Sequence, residues 1–251
     1  MNEDFSTRYK KLKTKQQYIN FYKIEKVVAQ YAKSDFAGLS PLITKAETGA
    51  VLSLCKSNKV SMNSLLDLAT GSARILTVLE KHFKNSVGID SSPLMLKVAN
   101  ARVKMAKLII ADIEKLPFKN NAFDVITGFR FIINVPKSSR HKMLLEIKRV
   151  LKSEGLIIIN IHHNKISPRG IKDIISKNRP LSKTISFFGL KKEFQSAGLK
   201  IVAKKGINIA LLTLLLPFID RNFLLKIDSL TSSLPLINIL SDTLIISAKK
   251  N

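Results

Sequence analysis

The stretch "LLDLATGSARILTVL", residues 65–79, decides the fold. An apolar run closes on Asp67 and Leu68, the chain crosses small residues, and apolar positions then restart at helical spacing. This reads as a strand, a turn through Ala69, Thr70, Gly71, Ser72 and Ala73, and a helix from about Arg74 whose N-terminus offers unpaired N–H groups. Small side chains there let a ligand approach the backbone. A second acid, Asp90, closes the next apolar run, "SVGID" (86–90), 19 residues beyond Gly71. An acid in that place can accept the hydroxyl hydrogens of an adenosine ribose, and ribose recognition is the simplest joint explanation of turn and acid. Only one of the three glycines of a dinucleotide fingerprint is present. Ala69 and Ala73 crowd the approach that a pyrophosphate needs, which argues against NAD or FAD.

Working outward, short apolar runs recur as "SLLDLA" (64–69), "AKLIIAD" (106–112), "FDVITG" (123–128) and "GLIIINI" (155–161). Each reads as a buried strand of a parallel sheet. Between them lie segments of helical periodicity at 72–83, 92–105 and 138–152, the last with Met143, Leu144, Ile147, Val150 and Leu151 on one face. Strands alternating with such helices imply right-handed βαβ units, hence an α/β, doubly wound sheet. Residues 1–60 read as helices laid before the sheet. After residue 165 the pattern loosens into a basic helix (about 169–177), another at 190–198, a strand "LKIVAKK", a long apolar stretch and a last strand "TLIISAK".

A chain of 251 residues with 45% hydrophobic content can bury a sizeable core. Its single cysteine, Cys55, excludes a disulfide framework and a cysteine-cluster zinc site; no metal is expected. The N-terminus, "MNEDFSTRYKKLKTKQQY", is polar and reads as neither secretory signal nor anchor, so a cytoplasmic place is expected. The formal charge of +24 exceeds what solubility requires. Residues 137–205 hold 17 basic and 4 acidic side chains, whereas 206–251 hold 4 and 3 and are mostly aliphatic. The excess is either a compositional habit, rich in Lys, or an electrostatic footprint for an anionic partner.

Four stretches in this order, "LLDLATGSAR", "VGIDSSPLMLKVAN", "ADIEKLPFKNNAFDVITGFRF" and "EIKRVLKSEGLIIIN", resemble the class I S-adenosylmethionine-dependent methyltransferases. The likeness is strongest to the group that includes ubiquinone and menaquinone methylases. It covers roughly residues 45–165, and it departs from the family pattern at Ala69 and Ala73, where glycines are usual, and at Ser153 and Glu154 before the turn glycine Gly155. The resemblance implies a Rossmann-like seven-stranded sheet with its last strand antiparallel, and S-adenosylmethionine as cofactor. It implies that Asp67 and the backbone of Ala69, Thr70, Gly71, Ser72 and Ala73 line the methionine portion, and that Asp90 holds the ribose. Ser91 and Met95 would flank the adenine, Asp112 and Ile113 would meet its edge, and Arg130 and Phe131 would sit near the transferring methyl. The N-terminal helices, with Tyr31 and Asp35, would close over the cofactor. Three parts are expected: 1–60 as a helical lid, 61–165 as the cofactor-binding core, and 166–251 as the completion of the sheet with a basic and apolar insert on the acceptor side.

Methyl transfer from a sulfonium needs in-line placement, exclusion of water and sometimes a base. The base candidates are His162 and His163, directly after the fifth strand; strand alternation lets one of them face the cleft. The Asn/Asp-Pro-Pro-Tyr/Phe motif of methylases acting on amino groups is absent: "TGFRFIIN" stands there. Residues 207–219 form an apolar stretch broken by Pro217, too short to span a bilayer and suited to a lid or an interfacial segment. Together with the basic region, it favours an enzyme peripheral at the inner membrane face, methylating a small-molecule, lipid-like, quinone or lipid-linked saccharide acceptor. The alternatives are an RNA-binding methyltransferase using the basic face and a non-catalytic member that binds cofactor only. Tryptophan is absent and no RNA-binding module is recognised, so nucleic acid is the less favoured partner.

Overall fold

The computed structural model describes residues 12, 14–162, 167, 171, 175, 185–208, 219–231, 234, 240–241 and 243–251. Among the described residues three helices precede the sheet: α1 (Lys15–Phe21), α2 (Glu25–Ser34) and α3 (Ser40–Ser57). A capping box opens α1, where Thr14 accepts from the N–H of Gln17 while the Gln17 side chain accepts from the N–H of Thr14. Then follow β1 (Ser64–Leu68), α4 (Leu76–Leu79), β2 (Asn85–Asp90), α5 (Pro93–Asn100), β3 (Lys107–Ile110), β4 (Phe123–Gly128), α6 (Lys137–Val150) and β5 (Leu151–His162). The chain ends with α7 (Phe187–Ser196), β6 (Leu199–Ile207), α8 (Arg221–Thr231) and β7 (Thr243–Lys250).

The seven strands make one sheet in the order β3-β2-β1-β4-β5-β7-β6. The first five are parallel, and β7 runs antiparallel to both β5 and β6. The order reverses between β1 and β4, which places a crevice at the C-terminal ends of those strands. In β1 alternation divides the apolar residues between two cores. Leu66 and Leu68 join Ile126, Ile157 and Ile159 on the face covered by α6 and α7. Leu65 joins Val125 and Ile158 on the face covered by α3 and α4. Each fully buried aliphatic side chain contributes about 1.5–3 kcal/mol relative to exposure, so a strand buried on both faces is held in register by its whole length.

The expected helix at 72–83 shrinks to the four residues of α4, followed by a 3-10 turn at Glu80–His82. The helix expected at 92–105 ends at Asn100, and Glu80 supplies the reason. Its carboxylate accepts from the N–H groups of Lys104, Met105 and Ala106, at 3.0, 2.9 and 2.8 Å, which a continuing helix would use internally. β3 is shorter than "AKLIIAD" suggested, so Asp112 falls in the turn beyond it. The basic helix expected at about 169–177 and most of the apolar stretch 207–219 lie largely outside the described residues; α8 follows that stretch.

Gly155 is not in a turn. β5 begins four residues before it, at Leu151, and the ladder with β4 shifts register between Phe123 and Val125. A Cβ on Gly155 would stand 2.7 Å from Leu151 Cδ1 and 2.9 Å from the Asp124 carbonyl oxygen. Backbone cannot retreat as a flexible side chain can. Gly155→Ala is therefore expected to lower stability by about 1–3 kcal/mol through overpacking, read as a lower urea midpoint with an unchanged slope.

Candidate active site

The turn after β1 is built from alternating left-handed residues. Ala69, Gly71 and Ala73 have φ of 47°, 56° and 63°. For a residue with a Cβ this conformation costs about 1–2 kcal/mol, so the two alanines hold glycine's geometry against strain. Hydrogen bonds keep the turn in place: the Thr70 N–H donates to the Ile89 carbonyl at 2.8 Å, and the Ala73 N–H donates to the Thr70 carbonyl at 2.8 Å. The Thr70 hydroxyl donates to Asp67 Oδ2 at 2.6 Å. A left-handed Ala73 cannot belong to an α-helix, so the helix starts at Leu76 rather than near Arg74. The expected long helix N-terminus is thereby replaced by the backbone of the turn itself.

Two acids flank this turn in different states. Asp67 is buried, and its other oxygen accepts from the Thr127 hydroxyl at 2.7 Å. Burial pushes its carboxyl up to about 6, against the opposing pull of Thr70, Thr127 and Arg74. Asp90 is partly exposed at the end of β2. Its Oδ2 accepts from the Gly71 N–H and its Oδ1 from the Ser92 N–H, both at 2.9 Å. Burial raises its pKa, and these N–H groups oppose the rise. The Ser91 N–H adds a third donor, and a carboxylate has about four lone-pair sites, so capacity remains for a ribose hydroxyl.

A cleft opens at this edge of the sheet. Ala69, Gly71, Ile89, Asp90, Ser91, Met95, Asp112 and Ile113 line one side; Phe129, Arg130, Phe131, Asn134 and Val135 line the other. Tyr18, Ile19 and Tyr22 from α1 and its end, and Tyr31 from α2, complete the wall, with the Tyr22 and Tyr31 rings edge-to-face at 5.7 Å. Phe131 packs against Gly128, where a Cβ would come within 2.3 Å of its ring. A smaller polar hollow adjoins the cleft, lined among others by Asp35, Asp67, Thr70, Arg74 and Arg130.

Most of the residues singled out from the sequence thus meet in one place. Ser72 and Ala73 are brought to the turn but do not line the cleft: the Ser72 hydroxyl donates to Asp35 Oδ2, and the Ala73 methyl is buried in the core. Asp112 is exposed and accepts from the Glu114 N–H at 2.9 Å. His162 ends β5 opposite Thr243, but its side chain and all of His163 lie outside the described residues. Among the described residues no group of three or more His, Cys, Asp or Glu could hold a metal ion.

Sequence reasoning missed a buried polar ring beside the cleft. Arg130, left-handed at φ 58°, donates its backbone N–H to Asn160 Oδ1 at 2.7 Å. Asn160 Nδ2 donates to Glu47 Oε1 at 3.1 Å. Glu47 Oε2 pairs with Arg74 Nη2 at 2.7 Å. Arg74 Nε stands 3.9 Å from Asp35 Oδ1, and Arg130 Nη1 donates to that same oxygen at 3.1 Å, closing the ring. Burial pulls the Arg74 pKa down, but the Glu47 and Asp35 carboxylates outweigh it and hold the group above its ordinary value. Two signals were present in the sequence: an amide inside the isoleucine run "GLIIINI", and a carboxylate on the buried face of α3.

Comparison with known proteins follows from this geometry. Residues 66–159 match a family described as Methyltransferase domain. A demethylmenaquinone methyltransferase of Thermotoga maritima is 37% identical over 106 residues, covering 40% of this chain and 44% of that protein. A ubiquinone/menaquinone biosynthesis C-methyltransferase of Campylobacter jejuni is 28% identical over 172 residues, covering 56% and 72%. The chain spans less than half of the Thermotoga protein. Among solved structures, a magnesium protoporphyrin IX methyltransferase of Synechocystis with bound SAH superposes with a TM-score of 0.66 at 12% identity, covering 94% of this chain and 100% of that one. A S-adenosylmethionine-dependent methyltransferase of Thermotoga maritima, titled a possible histamine N-methyltransferase, gives 0.63 at 19%, covering 92% and 100%. The fold is that of the Rossmann-like S-adenosylmethionine-dependent methyltransferases.

Two outcomes test the turn. Ala69→Gly, at a half-buried position, should raise stability by about 0.5–1 kcal/mol by relieving the left-handed backbone, whereas Ala73→Gly also loses a buried methyl worth about 0.8 kcal/mol and should be near neutral, both measured by denaturant unfolding. The second concerns Asp67, whose pKa rises from 3.8 to about 6. Between those values the folded chain keeps a proton that the unfolded chain has released, so this group's contribution to stability falls as pH rises through the interval. Asp67→Asn should flatten the fall by up to roughly 3 kcal/mol, seen by comparing unfolding free energies of both proteins across that range.

Proposed function

We propose, from the premise that residues 66–159 belong to the methyltransferase domain family, that this chain transfers a methyl group from S-adenosylmethionine to a lipid-like small molecule of the quinone type. One observation carries the reading: Asp90, partly exposed, at the end of β2, joined through its carboxylate to the left-handed Gly71 of the turn after β1. That donor set fits an adenosine. The carboxylate keeps room for a ribose hydroxyl, Ile89, Met95 and Ile113 provide an apolar wall for the ring, and Ser91 and Asp112 lie at its edge. The methionine end would lie along the backbone of 69–73 toward the polar hollow of Asp67 and Arg74. Ala69 and Ala73 keep the left-handed backbone expected of glycines, which speaks against a member that has lost its cofactor.

The cofactor supplies a methyl already activated on a sulfonium. The protein's part is placement and exclusion of water. Phe129, Phe131 and Val135 give the acceptor side an apolar lining, and Arg130 gives it a permanent cation. A guanidinium carries N–H donors and no acceptor, so Arg130 would hold an acceptor oxygen rather than deprotonate it. No step is assigned to His162 or His163. The quinone class draws support from the named activities of the Thermotoga and Campylobacter relatives. The charge of +24 supports a peripheral position at an anionic membrane, where such acceptors reside; among the described residues no helix is long and apolar enough to cross one.

The test is incubation with methyl-labelled S-adenosylmethionine and, separately, demethylated quinone in anionic vesicles, total RNA and a soluble metabolite fraction. Label in the quinone arm is expected; label in RNA would move the acceptor to nucleic acid, and label in metabolites alone would remove the membrane. Asp90→Ala should weaken S-adenosylhomocysteine binding about tenfold to a hundredfold in titration calorimetry, the loss of charge-assisted hydrogen bonds worth roughly 1.5–3 kcal/mol. Unchanged affinity in a folded variant would remove Asp90 from the site.

A further inference from the structure

We propose that Asn160 and Asp35 are positioning residues for Arg130, holding its guanidinium at one place on the acceptor side of the cleft. The proposal rests on the methyltransferase reading and goes beyond it, because neither side chain lines the large cleft. Arg130 directly follows Phe129 at the end of β4, and its left-handed φ of 58° is one that a residue with a long side chain adopts only when its surroundings impose it. The peptide groups on both sides of its Cα are held: the N–H by Asn160 Oδ1 at 2.7 Å, and the carbonyl by the Asn134 amide at 3.4 Å. The side chain is then held from the other direction by Asp35 at 3.1 Å. Backbone and guanidinium are thus fixed independently.

Each positioning residue is itself fixed. Asn160 is fully buried in β5, between Ile159 and Ile161, which both face the core covered by α6 and α7, and its amide donates to Glu47 of α3. That second bond sets which end of the amide faces Arg130: the nitrogen is committed to a carboxylate, so the oxygen must accept from the Arg130 N–H. Asp35, just past the end of α2, takes the Ser72 hydroxyl on one oxygen and the two guanidinium groups on the other. Through it the N-terminal helices, the turn after β1 and the residue after β4 share one anchor. Among the described residues the buried Nε of Arg130 has no hydrogen-bond partner, a costly state that only a rigidly held side chain keeps. Misplacement of such a group by about 1 Å is enough to cost a hundredfold in rate.

The experiment reads two quantities. First, the Arg130 side-chain Nε–H resonance is recorded in the full-length wild type, Asn160→Ala, Asn160→Ser and Asp35→Asn, with assignment by Arg130→Ala. A single exchange-protected signal is expected in the wild type, and a shifted or broadened one in each folded variant of the positioning residues. Second, turnover and S-adenosylhomocysteine affinity are measured for the same proteins. The variants should lose about tenfold to a hundredfold in kcat. Asn160→Ala and Asn160→Ser should change S-adenosylhomocysteine affinity by less than about threefold, about 0.7 kcal/mol. In the Arg130→Ala background the Asn160→Ala loss of kcat should vanish while its loss of stability persists, a non-additivity that a merely structural role would not produce. An unchanged Nε–H signal, or equal kcat losses in both backgrounds, overturns the proposal. If Asn160→Ala does not fold, Asp35→Asn, which keeps the bond from Ser72 and removes the charge beside Arg130, decides by the same readings. Should the wild type methylate nothing while binding S-adenosylhomocysteine, the acceptor reading fails, and the resonance arm still decides the positioning.

Discussion

Four charged side chains, Asp35, Glu47, Arg74 and Arg130, come together with Asn160 where the N-terminal helices meet the C-terminal ends of β1, β4 and β5. Their formal charges cancel. Removing such groups from water is costly unless each is paired, and breaking one buried pair leaves its partner uncompensated, typically at about 3–5 kcal/mol. The five side chains come from five separate parts of the chain, so they are paired only when the end of α2, α3, the turn after β1, the end of β4 and β5 have all reached their native places. The apolar cores tolerate many arrangements of aliphatic side chains. This ring tolerates few.

The same constraint organises the cleft. Asp35 receives the Ser72 hydroxyl, so the turn that carries Gly71 toward Asp90 is tied to α2. Tyr31, one turn earlier on that helix, lines the cleft because Asp35 holds the helix end there. The end of α2 is thus tied into the polar ring. On the opposite side the strained Arg130 brings a permanent cation to an otherwise aromatic and aliphatic lining. Of the five left-handed residues other than glycine among the described residues, Ala69, Ala73 and Arg130 fall around the cleft, whereas Lys59 and Asn121 lie in connections elsewhere.

Strand and helix identities were largely legible because the core is simple. Apolar runs buried on both faces, as at 64–68 and 123–128, have one reading in an α/β chain, and helix faces such as that of Met143, Leu144 and Ile147 follow from spacing alone. Element ends were less legible. α5 stops where the carboxylate of Glu80, 20 or more positions earlier, captures three backbone N–H groups. β5 starts early because a bulge against β4 accommodates Gly155. Neither event has a local signature, since each depends on a partner brought near by the fold.

The sequence by itself determined the order of strands and helices, the turn after β1 and the acid at the end of β2. All of these arise from neighbours along the chain: apolar period, small residues and the spacing from Gly71 to Asp90. Only the tertiary structure decided that alanines would occupy left-handed positions, that Ser72 would turn toward Asp35 instead of the cleft, and that Glu47 and Asn160 would carry a guanidinium to its place. The physical reason is one of range. Periodicity and turn propensity act over a few residues, whereas the pairing of a buried charge is settled by whichever opposite charge the packed sheet brings within about 3 Å, here across a separation of up to 95 residues between Asp35 and Arg130.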